Sequence, residues 1–272
     1  MSTSSHQKKP GAAEQQAARR EKLRQAQLAE DRQKLRQRIV IAGSGVLALL
    51  LIGGIAIAVG TGGHDGPGGT AVAASSAPLV TPANAGGTDG TVVTYGKADA
   101  PHTLDVYEDF RCPICKKFEN ADGPLVQQLA DAGDYKINYH LAAFLDDNLG
   151  GKGSITALAA AGAALNQGVD DFKKFHDVLY ANQPAEQTDG FGSNAKLLDL
   201  AGQVPGLRTD AFTAAVQDGT YLPWAQKVAA AFDKSGVTGT PTMKLDGKAL
   251  NLFDGAGNPV GAEDFRKQVG AA

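Results

Sequence analysis

With 272 residues, 43% hydrophobic but only 6% aromatic, and with 34 glycines, the chain draws its apolar content mainly from Ala, Val and Leu. A net charge of −3 hides an asymmetry: residues 1–38 hold ten bases against four acids, a net of +6, which leaves −9 for the remainder. A basic head and an acidic body on either side of an apolar segment mark a membrane protein and argue against nucleic acid as a partner.

Residues 12–38 are rich in Ala, Gln, Glu, Lys and Arg and lack Gly and Pro, a helix-favouring composition with too few apolar residues for a core-facing stripe. They are expected to form a solvated segment whose bases rest on anionic headgroups. Ile39–Val59 contains no charged residue. A helix of that length, at ~1.5 Å per residue, spans about 30 Å, the thickness of the hydrocarbon core. The bases stop at Arg38 and the next is Lys97. The N-terminus is therefore expected in the cytoplasm and the body outside a single-pass cell-membrane anchor. A cleaved signal peptide is the rival reading, but its apolar region runs roughly 7–15 residues to a nearby small-x-small site. Here Ala71-Val72-Ala73 lies well beyond the apolar run. Residues 60–90 are Gly, Ala, Ser, Thr and Pro with almost no large apolar side chain, and read as a flexible tether. One domain is then expected over 91–272.

The body mixes strand and helix patterns. Thr91–Tyr95 reads as a short strand and His102–Tyr107 as a second, with Leu104 and Val106 on one face. The only two cysteines follow, as Cys112-Pro113-Ile114-Cys115, opening a helix in which Phe118, Leu125 and Leu129 recur at helical spacing from Lys116 to Asp131. Lys136–Leu141 is a third strand, with Ile137 and Tyr139 on one face and His140 on the other. From about 152 to 235 the pattern is helical: Ala157–Leu165, Asp171–Tyr180, Ala195–Leu200, a piece capped by Thr209-Asp210, and Leu222–Phe232. Strand character returns at Thr242–Leu245 and Ala249–Phe253 across Asp246-Gly247, a strong hairpin signal, and a helix over Ala262–Val269 follows. This order predicts an α/β fold: a mixed sheet with helices on both faces and a helical insertion.

A first sulfur at a helix N-terminus meets free N–H groups and the positive end of the macrodipole, which favour its thiolate. A thiolate of low pKa beside a resolving thiol is the minimum apparatus for exchanging disulfides. Pro113 suits a first helical turn, where no N–H partner is needed.

The segment Glu108-Asp109-Phe110-Arg111-Cys112-Pro113-Ile114-Cys115-Lys116-Lys117-Phe118-Glu119 resembles the active-site segment of DsbA-like thiol-disulfide oxidoreductases. Val237-Thr238-Gly239-Thr240-Pro241-Thr242 resembles the loop that in these proteins holds a cis-proline opposite the dithiol. The resemblance covers about 91–270 and implies a thioredoxin-like fold with an inserted helical domain. It implies Cys112 as the exposed nucleophile and Cys115 as the buried resolving thiol, in agreement with their places on the helix. Pro113, Ile114 and Asp109 support the dithiol, while Thr240 and Pro241 would present backbone to a client strand. Exported proteins with cysteine thiols are the implied clients, and a membrane redox partner the implied source of reoxidation. No cofactor or metal is implied.

The sequence departs from the family at one place. Six residues before the first cysteine, where the family often has a buried acid, stands Val106; Glu108 and Asp109 lie nearer the turn. Lys116 and Lys117 are expected to be mobile, exposed charges of screened effect. Two other functions compete with exchange. One is a binding module with a structural disulfide, although so small a loop gains little from chain entropy. The other is zinc, for which one C-x-x-C supplies half a tetrahedral set. His102, His140 and His176 are expected on strand or helix surfaces, Trp224 in the core, Asp146-Asp147 in a loop and Asp170-Asp171 at a helix cap.

Overall fold

A computed structural model of the chain describes residues 78–271. The basic head, the Ile39–Val59 segment and the first part of the tether lie outside the described residues. Among the described residues no helix is long and apolar enough to cross a membrane.

Five strands form one sheet in the order β1-β3-β2-β4-β5: β1 Val93–Tyr95, β2 Thr103–Asp109, β3 Lys136–Ala142, β4 Thr242–Leu245 and β5 Lys248–Ala249. β2 and β3 run parallel and every other pair antiparallel. A parallel pair needs a long crossover. It is supplied here by α1 (Pro113–Ala121) and α2 (Gly123–Ala132). Between β3 and β4 the chain builds six helices: α3 Phe144–Leu149, α4 Gly153–Gln167, α5 Val169–Ala181, α6 Asn194–Ala201, α7 Asp210–Gln217 and α8 Leu222–Asp233. α9 (Ala262–Val269) follows the sheet. The expected thioredoxin-like mixed sheet with helices is what folds.

Both faces of the sheet are covered. Leu104, Val106, Ile137 and Tyr139 are buried, and the Tyr139 ring lies 5.6 Å from Phe172 of α5. On the opposite face Tyr107 meets Phe232 of α8 at 6.2 Å. Each such side chain contributes roughly 1.5–3 kcal/mol by leaving water. Trp224 is fully buried, as expected, against Gly162 of α4, where an added Cβ would lie 2.7 Å from the indole.

The structure corrects four boundaries. The single helix expected from Lys116 to Asp131 is two, because Pro124 lacks the N–H that would continue it. α1 closes with Asp122 N donating to Phe118 O at 2.8 Å, and α2 starts afresh with proline in its first turn. The second arm of the hairpin stops at Ala249 rather than Phe253, since Asn251 N is taken by Gln268 Oε1 at 2.7 Å. The turn itself is as expected, with Asp246 (φ 49°) and Gly247 (φ 83°) both left-handed. The helical block starts at Phe144, ahead of the expected 152. The tether ends sooner than Gly90. Ala83 N donates to Asn166 Oδ1 (3.0 Å), Asn84 Nδ2 to Leu165 O (2.8 Å), and Trp224 Nε1 to Gly90 O (2.7 Å).

Candidate functional site: a dithiol at a helix N-terminus

Cys112 ends the loop after β2 and is the N-cap of α1, with Pro113 in the first turn. Its Sγ accepts a hydrogen bond from Cys115 N at 3.3 Å, so the sulfur takes the place of a capping oxygen. Thr240 approaches from the loop before β4, its carbonyl oxygen 3.4 Å from Cys112 Sγ. The Thr240–Pro241 bond is cis, as expected.

Both cysteines are free thiols. The Cys112 thiol is lowered to about 7. The hydrogen bond from the Cys115 thiol does most to lower it, and the N–H groups of Cys115 and Ile114 add to that, outweighing the opposing effect of burial. The Cys115 thiol is raised well above its usual value by burial, by its bond to Cys112, and by the charges of Cys112 and Glu108. The negative charge of the pair therefore sits on the outer sulfur at neutral pH.

The expectation of an exposed nucleophile is corrected. Cys112 is 5% exposed and Cys115 not at all. The sulfur is covered because it turns inward to cap α1 and Thr240 lies over it. The exposed parts of the motif are Pro113 and Ile114, the latter 48% exposed.

Asp109 does not stand free as an acid beside the cysteines. Its carboxylate accepts from Arg111 N (2.9 Å), Ser154 Oγ (2.6 Å) and Leu145 N (3.2 Å). Its backbone oxygen accepts from Cys112 N at 2.9 Å and from Tyr180 Oη at 3.2 Å. Burial raises this carboxyl to about 6 against those donors. Asp109 thus ties the dithiol loop to α3, α4 and α5.

Arg111, Asp146 and Gln183, none of them expected to serve the site, complete the frame. Arg111 is buried and donates to Asp146 Oδ1 (2.6 Å), Gly150 O (2.9 Å) and Glu186 O (3.0 Å). Asp146, expected in a loop, lies in α3, is buried, and also accepts from Ser154 N and Ile155 N at the start of α4. Gln183 Nε2 donates to Phe110 O (2.8 Å) and Cys112 O (3.0 Å), and Lys116 Nζ donates to Gln183 O (3.0 Å). Lys116 is therefore a fixed charge rather than a mobile one.

His176, expected on a surface, is fully buried. It belongs to the stripe of α5 that faces the sheet, between the rings of Tyr139 (5.0 Å) and Tyr180 (4.9 Å). Its Nε2 lies 2.8 Å from Glu108 Oε2. Among the described residues, Glu108, Glu119 and His176 bring three atoms able to bind a metal within 4.8 Å of one another.

The sequence pattern of the family described as Thioredoxin matches residues 88–270. The chain belongs to the thioredoxin family. Within that family, Disulfide bond formation protein D of Bacillus subtilis (strain 168) is 28% identical over 159 residues, covering 58% of this chain and 69% of that protein. Two solved thioredoxin-fold structures resemble it. The reduced form of the disulfide bond oxidoreductase DsbG from Mycobacterium tuberculosis is 29% identical with a TM-score of 0.53, over 61% of this chain and 82% of that one. Oxidised BdbD from Bacillus subtilis is 26% identical with a TM-score of 0.54, over 65% and 90%. This thioredoxin-family chain is a DsbA-like thiol-disulfide oxidoreductase.

Proposed function

We propose that the chain is a membrane-tethered oxidase that donates disulfides to exported proteins from the outer side of the cell membrane. The basic 1–38 segment would stay in the cytoplasm, Ile39–Val59 would span the bilayer, and the tether would give the catalytic domain reach above it. The observation that carries the reading is the Cys112 sulfur, capping α1 with its thiol at about 7, beside a Cys115 thiol held far higher. A thiol that ionises easily is a good leaving group, so a mixed disulfide at Cys112 is readily displaced and the reduced dithiol is favoured.

In this reading a client thiolate attacks Cys112 Sγ in the oxidised protein. The Cys112–Cys115 bond breaks and the electron pair leaves on Cys115. A second client thiolate then attacks the client sulfur of the mixed disulfide and expels Cys112 as a thiolate. The client gains a disulfide, and the protein is left reduced, to be reoxidised by a membrane redox partner. Ile114 and the Thr240–Pro241 backbone would hold the client beside the sulfur. The direction is tested by equilibrating the dithiol against glutathione buffers. An oxidase leaves it largely reduced at the poise of an oxidising compartment; a dithiol still oxidised at strongly reducing poise is a reductant, and the proposal then fails.

A further inference from the structure

Glu108, Glu119 and His176 come from three elements, β2, α1 and α5, and meet inside the fold. Each offers one donor atom, and the three atoms lie within 4.8 Å of one another. Glu108 Oε2 and His176 Nε2 are 2.8 Å apart. Around a tetrahedral zinc ion with bonds of about 2.1 Å, donor atoms sit about 3.4 Å from each other. The three atoms are therefore near that spacing already, and Glu119, half-buried beside a cavity, has room to adjust.

An ion pair between Glu108 and His176 does not account for the whole cluster. Glu108 is fully buried, and its second oxygen, Oε1, has no hydrogen-bond partner. A buried carboxylate oxygen normally has one. This orphaned oxygen belongs to the carboxylate that meets both His176 and Glu119. A second carboxylate at such close range repels the first unless a positive charge lies between them. The nearby Lys173 ammonium is already paired with Asp177. As ionised ligands, Glu108 and Glu119 bring two negative charges, the charge of one divalent cation.

The surroundings of His176 fit a ligand. Its Nδ1 lies 3.3 Å from Asp177 Oδ1. A carboxylate on one ring nitrogen orients the imidazole and leaves the other nitrogen for a metal. The rings of Tyr139 and Tyr180, 5.0 and 4.9 Å away, fix its plane. There is also a way in. Glu119, Asp177 and Tyr180 line a cavity of 240 Å³ between α1, α2 and α5, and its rim residues Asn120, Pro124 and Ala181 are exposed. Gly123 keeps it open on the Glu119 side, since a Cβ there would lie 2.6 Å from Glu119 Oε2.

We propose that Glu108, Glu119 and His176 form a binding site for one divalent transition-metal ion of the zinc class, with a fourth position facing the cavity. One imidazole and two carboxylates suit Zn2+ better than Ca2+ or Mg2+, which take six or more oxygen ligands. The ion joins the strand that leads into the dithiol, the helix that Cys112 caps, and the insertion helix packed against both. Neither cysteine belongs to the set, so the site can fill while the Cys112–Cys115 disulfide is closed. The inference does not depend on the direction of disulfide exchange.

The test is equilibrium dialysis of the oxidised full-length protein against Zn2+ and, separately, Ca2+, followed by thermal unfolding at each metal concentration. Using the oxidised protein removes the C-x-x-C thiols as zinc ligands. The proposal expects one equivalent of Zn2+ per chain and an unfolding midpoint that rises with Zn2+ concentration. In Glu119→Gln, a change at a half-buried position, Zn2+ affinity should fall by at least about 100-fold and the rise in midpoint should vanish. Ca2+ should do neither. Wild type loaded with Co2+ needs no variant to fold, and should show the intense visible d–d bands of a four-coordinate ion. No Zn2+ uptake, preference for Ca2+, or absence of those cobalt bands overturns the site. So does Zn2+ uptake unchanged in Glu119→Gln, which puts the ion on other histidines of the chain.

Discussion

Replacing Cys112 by Ser should change the pH dependence of stability in the reduced protein by an amount set first by the hydrogen bond from the Cys115 thiol and then by the N–H groups at the start of α1. In the folded chain the Cys112 thiol titrates at about 7, against the ordinary 9.0 of a free thiol. The folded value is the lower one. The thiolate therefore stabilises the fold fully above pH 9, and that stabilisation is lost as pH falls through 7. That gap amounts to about 3 kcal/mol, of which about half is present at pH 8. Urea unfolding of the wild type and of Cys112→Ser, both kept reduced, at pH 5, 7, 8 and 9.5, measures it. Taking the difference between the two proteins removes Asp109, and removes Glu108 apart from the share that the Cys112 charge itself adds; both raised carboxyls work in the opposite direction. The difference should grow by about 2.5 kcal/mol between pH 5 and pH 9.5. Two parallel curves would refute the idea that the Cys115 thiol and the start of α1 together stabilise the thiolate.

Three further outcomes are expected. In the oxidised protein, where neither cysteine titrates, stability should fall as pH rises from 5 through 7. Glu108 (raised to about 7) and Asp109 (raised to about 6) must then take up charge in the core, and urea midpoints across that range check the sign. Arg111→Met leaves the buried Asp146 carboxylate without its cation and should cost about 3–5 kcal/mol in thermal or urea unfolding, with part recovered in the Arg111→Met/Asp146→Asn double variant. Gly162→Ala places a Cβ 2.7 Å from the Trp224 ring and should cost about 1–3 kcal/mol, read in the same unfolding experiments, while Cys112 alkylation stays unchanged.

Much of the frame is legible in the sequence because it follows local rules. Alternation marked β2 and β3, Asp246-Gly247 marked the hairpin, and the two cysteines with Pro113 marked the start of α1. Pro124 marks the break at Asp122, but the helical spacing of Phe118, Leu125 and Leu129 continues through it and masks it. The polar frame was harder to see because its members are far apart in the chain. Gln183 reaches back to Phe110 and Cys112, and Arg111 forward to Asp146 and Glu186. Arg111 sits directly before the first cysteine, and that adjacency was the available signal. His176 and Glu119 gave none beyond polar residues among aromatic neighbours on a helix; their pairing with Glu108 exists only once α1, α5 and β2 are packed together.

The central claim is that the outer sulfur of the pair is the ionised one at neutral pH. Iodoacetamide labelling of the reduced full-length protein from pH 5 to 10, with each cysteine followed by mass spectrometry, tests it most directly. The account predicts modification at Cys112 alone, with a rate that rises through a midpoint near 7. A midpoint near 9, or equal labelling of Cys115, would contradict it.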